Sequence, residues 1–80
     1  MRVTVRLFAR LRDIAGDELV REVAPSATVA TLWRDLTMEF PGLAPYERSV
    51  SAAVNEDYAR MGRVLEDGDE VAFLPPVSGG

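Results

Sequence analysis

The residues whose types and spacing could do chemistry stand together at the end of the chain, in Pro75-Pro76-Val77-Ser78-Gly79-Gly80. Pro75 and Pro76 fix φ and each removes a backbone donor, so a strand arriving at Leu74 cannot continue in a ladder and the chain must leave the sheet. Val77 and Ser78 then lead to Gly79 and Gly80, which carry no side chain and can enter a slot too narrow for any other residue, at the cost of disorder when free. Extended backbone from Pro75 to Gly80 reaches roughly 20 Å, at about 3.3 Å per residue, far enough to enter a neighbouring protein's active site. The chemically distinctive group it would deliver is the α-carboxylate of Gly80. A frayed terminus is the bland reading of a final Gly-Gly, but a double proline directly after a strand favours a presented tail.

The rest of the chain is poor in reactive groups. It has 80 residues and neither Cys nor His, so a disulfide, a thiolate nucleophile, an imidazole base and a typical zinc site are all excluded. The acidic run Glu66, Asp67, Asp69 and Glu70 lacks the ligand spacing of a calcium loop and reads as a solvated turn. Net charge is −4 and every one of the 9 basic residues is Arg, scattered along the chain. The footprint for nucleic acid is therefore missing, and a basic protein surface suits this chain better as a partner. No apolar run approaches the roughly 20 residues of a membrane span, and Met1-Arg2 leads straight into strand pattern, so a cytoplasmic protein is expected.

Eighty residues, 48% hydrophobic and 28% charged, predict one small globular domain with a single core and little stability to spare. Arg2 to Phe8 alternate, with Val3, Val5 and Leu7 on one face and Thr4, Arg6 and Phe8 on the other, as a half-buried strand requires. Ala9 to Gly16, with Leu11 and Ile14 spaced by three, suits a short helical turn closed by glycine. Leu19 to Val23 alternates again and stops at Pro25-Ser26. Thr28 is an N-cap for the main amphipathic helix, in which Val29, Leu32, Trp33, Leu36 and Phe40 recur at threes and fours. Trp33 reads as core. Pro41-Gly42 ends the helix.

Leu43 to Ser49 reads as a loop and Val50 to Val54 as a third strand. Asn55-Glu56-Asp57 signals a turn, Tyr58 to Arg63 is ambiguous, and Asp67-Gly68 marks a turn tolerant of left-handed backbone before a last strand over Glu70 to Leu74. These elements predict an α+β domain over residues 1–74, a mixed sheet with one main helix across one face and a flexible tail over 75–80. The opposite face is left uncovered. If Val71 and Phe73 meet the helix, Leu74 points outward at the root of the tail and Phe8 faces the same way. Such an apolar pair is what a docking surface would look like, because it seats a partner where the carboxylate is delivered.

Three stretches carry a family resemblance: Leu7-Phe8-Ala9-Arg10-Leu11-Arg12-Asp13, then Ala53-Val54-Asn55, then Leu65 to Gly80 with its Asp-Gly-Asp-Glu-Val and Pro-Pro-Val-Ser-Gly-Gly blocks. Over its whole length the chain resembles the small, sulfur-carrying subunits of molybdopterin synthase, which are ubiquitin-like β-grasp proteins. The resemblance implies that an ATP-dependent activating adenylyltransferase adenylates the Gly80 carboxylate, and that a sulfur donor protein displaces AMP to leave a thiocarboxylate. The tail, Pro75 through Gly79, would then enter the large catalytic subunit of the synthase, where sulfur passes to cyclic pyranopterin monophosphate. It further implies no bound cofactor, ATP being consumed by the activating enzyme, and a chain that is not catalytic alone. Leu74 and Phe8, with Arg12 from the matching N-terminal stretch, are the expected partner-binding residues. Two other roles for the same tail stay open: sulfur delivery to another product such as the thiamine thiazole, and conjugation as a protein modifier. A noncatalytic interaction module is the reading from a different class.

Overall fold

The computed structural model describes residues 1–76. Strand β1 (Arg2–Leu7) buries Val3, Val5 and Leu7 and leaves Thr4 and Arg6 on its other side, which is the predicted alternation. Ala9, at φ +51°, turns the chain out of β1 into helix α1 (Ala9–Ala15). Gly16 closes that helix at φ +103° while donating to the Arg12 carbonyl, a conformation open to glycine and strained for other residues. Strand β2 (Glu18–Glu22) returns antiparallel to β1.

Helix α2 (Val29–Glu39) starts at a reciprocal cap, in which Thr28 Oγ1 accepts from Thr31 N–H at 3.2 Å and Thr31 Oγ1 accepts from Thr28 N–H at 2.8 Å. The first helical donors, normally orphaned, are met by chain: Val29 N–H donates to the Arg63 carbonyl and Ala30 N–H to that of Met61. Val29, Leu32, Trp33 and Leu36 are buried against the sheet. Trp33 meets Phe73 at 5.0 Å between ring centroids, which bears out its place in the core. Phe40 lies past the last helical residue as the C-cap and is only half-buried.

The stretch expected to be a loop after α2 contains a 3-10 turn over Pro41–Tyr46. Pro41 fixes the φ of its first residue, and Leu43 within it is fully buried; a lone leucine among proline, glycine and alanine carries no period to reveal this. Strand β3 (Ser51–Val54) begins one residue later than predicted, because Val50 N–H is committed to the Tyr46 carbonyl. The ambiguous stretch holds a further strand, β4 (Asp57–Ala59), paired antiparallel with β3 across a turn at Asn55 and Glu56, which have φ of +51° and +74°. Three residues are too few for alternation to show. Strand β5 (Glu70–Leu74) completes the sheet.

The five-stranded sheet has the order β2-β1-β5-β3-β4, with β5 parallel to β1 and antiparallel to β3. The last strand is therefore the central one. Helix α2 covers one face, the core lies between, and among the described residues the other face is bare.

Candidate functional site

The tail is rooted at the middle of the sheet. Phe73 is paired with Leu7 on one side and Ala52 on the other, and Leu74 is paired with Ser51, so the departure point is clamped by ladders on both flanks. β5 stops at Leu74, as a Pro75 without N–H demands. Pro75 is half-buried and Pro76 exposed. Val77, Ser78, Gly79 and Gly80, the remainder of the predicted tail, lie outside the described residues.

Pairing register dictates what stands beside this root on the bare face. Side chains of paired residues share a side, so Arg6, Ala72, Ala53 and Tyr58 form one row. Arg6, Phe8, Ala53, Glu56, Tyr58, Glu70, Ala72 and Leu74 line an open trough of about 380 Å³. Phe8 belongs to it although β1 ends at Leu7, because Phe8 keeps extended backbone at φ −119° and ψ 153° and so keeps the alternation. Its ring is 38% exposed and Tyr58 is 83% exposed. Ala72 and Ala53 make the floor low between them. Among the predicted partner-binding residues, Phe8 and Leu74 come together here; Arg12 is exposed on α1 and does not line the trough. Another hollow, of about 280 Å³ beside α2, touches none of the tail-root residues.

One end of the trough is held by a buried carboxylate. Asp69, expected to be solvated with its acidic neighbours, is only 6% exposed. Its Oδ1 accepts from Asn55 Nδ2 at 2.9 Å and its Oδ2 from Glu66 N–H at 2.8 Å. Asn55 Oδ1 in turn accepts from Glu70 N–H at 2.9 Å. These bonds tie the β3–β4 turn to the start of β5 and thereby set where Glu56, Glu70 and Tyr58 stand. The run of acids looked uniform in sequence; only the position of Asn55 in space singles out Asp69.

Arg6 is the residue that sequence reasoning passed over. Its guanidinium carbon lies 5.8 Å from the Phe8 ring centroid, within range of a cation–π contact. Its Nε is shut off from solvent and has no hydrogen-bond partner among the described residues, a condition that costs about 1–3 kcal/mol when a donor is buried. Alternation with Thr4 and Phe8 was the available signal, but it assigns a face and not a contact. Among the described residues, no group of acidic side chains is arranged to hold a metal ion and no helix is long and apolar enough to cross a membrane.

A mixed sheet with a central C-terminal strand, one crossing helix and a tail leaving from the sheet's middle defines the class: the fold is a ubiquitin-like β-grasp. Residues 5–80 match the ThiS family, and the chain belongs to it. It is 40% identical over 83 aligned residues, covering 100% of this chain and 99% of its relative, to the molybdopterin synthase sulfur carrier subunit of Mycobacterium tuberculosis. The crystal structure of SAMP1 from Haloferax volcanii superimposes with a TM-score of 0.85 at 28% identity, with 100% of both chains covered. A complex of subunits 1 and 2 of the molybdopterin-converting factor from Helicobacter pylori contains a chain that matches with a TM-score of 0.70 at 28% identity, again over 100% of both.

Proposed function

We propose that this chain is the sulfur carrier subunit of a molybdopterin synthase, with Gly80 as the atom-carrying residue. The observation that carries the reading is full-length similarity, at 40% identity, to a relative of that name, ending in the Pro-Pro-Val-Ser-Gly-Gly tail. A carboxylate is a poor electrophile, so an activating adenylyltransferase first couples it to AMP from ATP with loss of pyrophosphate. A sulfur donor then attacks the acyl carbon and AMP leaves; sulfur suits the attack because it is largely ionised and polarizable at neutral pH. Hydrosulfide gives the thiocarboxylate directly, whereas a donor-protein persulfide gives an acyl persulfide whose S–S bond a thiol must then reduce. The thiocarboxylate passes its sulfur to cyclic pyranopterin monophosphate inside the large subunit. The acid, base and substrate pocket belong to that partner, which is why a chain without Cys or His suffices. A reaction fed by ATP fits a cytoplasmic protein.

The body acts as a handle. Residues 1–74 dock through the bare face, with Phe8 and Leu74 beside the root, and residues 75–80 extend into the partner. Association with a second subunit has a parallel in the Helicobacter pylori complex. Likeness to SAMP1, a small archaeal modifier protein, favours a second reading, in which Gly80 is conjugated to lysines of other proteins.

Intact-mass measurement after incubation with a cognate activating enzyme, ATP and a sulfur source separates the two. The expected product has one oxygen of Gly80 replaced by sulfur. Isopeptide adducts on added proteins without a free thiocarboxylate would favour the modifier, and an unaltered mass with a competent activator would refute both.

A further inference from the structure

A row of residues crosses all five strands of the sheet on its bare side: Glu18, Arg6, Ala72, Ala53 and Tyr58. Arg6 has Glu18 as its cross-strand neighbour and Glu70 on the diagonal, yet among the described residues no carboxylate lies within 4.0 Å of it. It leans on Phe8 instead, with Nε buried and unpaired. A guanidinium stays charged under all ordinary conditions. When a protein covers this face, the water left on Arg6 is displaced, and each N–H must find an acceptor or the complex is weakened. Ala72 and Ala53 leave room over the sheet directly beside it. A carboxylate fits there, because its two oxygens match the guanidinium fork and its charge offsets that of arginine.

We propose that Arg6 selects the partner at this surface by donating paired hydrogen bonds to one Asp or Glu carboxylate of the large synthase subunit, seated over Ala72 and Ala53. The inference rests on the docking reading above. Glu56 and Glu70 line the same trough and the chain carries a net charge of −4, so the matching segment holds a single acid in neutral or basic surroundings. A wholly acidic segment would be repelled.

Calorimetric titration of the cognate large subunit into wild type, Arg6→Met, Arg6→Lys, Glu70→Gln and Leu74→Glu, at low and high salt, tests this. Arg6→Met keeps the aliphatic bulk and is expected to melt no lower than wild type while weakening binding by about tenfold or more at low salt. Arg6→Lys should recover part of the loss, and the salt dependence should flatten in Arg6→Met. Glu70→Gln should bind more tightly, since it removes a repulsive charge. Undiminished affinity in Arg6→Met together with lost binding in Leu74→Glu would overturn the inference and leave the docking reading standing. A loss in Glu70→Gln equal to that in Arg6→Met would also overturn it, because Arg6 would then be pairing within its own chain. Wild-type affinity in both Arg6→Met and Leu74→Glu would overturn the docking reading and the inference with it.

Discussion

At the scale of single residues, the polar groups inside this domain are few and unequal. Asp69 is fully employed, with both carboxylate oxygens accepting hydrogen bonds. Removing it strands the Asn55 amide and the Glu66 N–H in a half-buried place. Asp69→Ala is therefore expected to cost about 2–3 kcal/mol, which lowers the melting temperature of a domain this size by roughly 10 °C or more. Thermal unfolding followed by circular dichroism checks it, and an unchanged midpoint would make the network ornamental. Trp33 is the contrary case. Its indole nitrogen is buried without a partner among the described residues, so its contribution comes from packing on Phe73. Arg6 shares that unpaired condition but sits on the bare face, and this is why Arg6 and not Trp33 invites an intermolecular explanation.

At the scale of elements, turns and caps decide how the strands meet. The reciprocal Thr28–Thr31 cap and the carbonyls of Met61 and Arg63 hold the start of α2. The turn before β5 depends on Gly68 at φ +86°, where an added Cβ would meet no atom within 4 Å. Gly68→Ala thus isolates a backbone effect from any clash. It should cost about 1 kcal/mol, seen as a lower urea midpoint with an unchanged slope. The same turn places Asp69 beneath Asn55, so a larger loss would mean that the network depends on this backbone conformation. β5 itself is held by β1 and β3, an arrangement that lets the tail be pulled into a partner without peeling an edge strand.

At the scale of the whole molecule, the domain and its tail divide the labour. Among the described residues no core residue lies beyond Phe73, and a glycine has no side chain to bury, so changes in the final glycines should leave folding alone. Gly79→Val is expected to melt like wild type yet fail to be charged, because a β-branched side chain cannot follow a glycine into a narrow slot. Intact mass after the charging reaction reads the outcome, and normal thiocarboxylate formation would remove the steric argument. Deleting Gly79-Gly80 asks the broader question. A carrier loses its activity entirely, whereas an interaction module keeps it.

Much of this was legible in the chain because it is local. The alternation of Val3, Val5 and Leu7, the threes and fours of α2, the Thr28 cap, the turn at Asn55 and the proline stop after Leu74 each arise from neighbours within a few residues, and each stands where the sequence reading put it. The tail motif is also readable as residue types, and the role proposed for it rests on those types and not on contacts. Tertiary structure alone decided the rest. β4 is a strand only because β3 lies alongside to complete its hydrogen bonds, and Asp69 is buried only because Asn55, 14 residues away, reaches its carboxylate. Arg6, Ala72 and Tyr58 share a trough only through pairings between distant strands. Local pattern sets which way a side chain points; what it then meets is set by the sheet order and register, which join segments far apart in the chain.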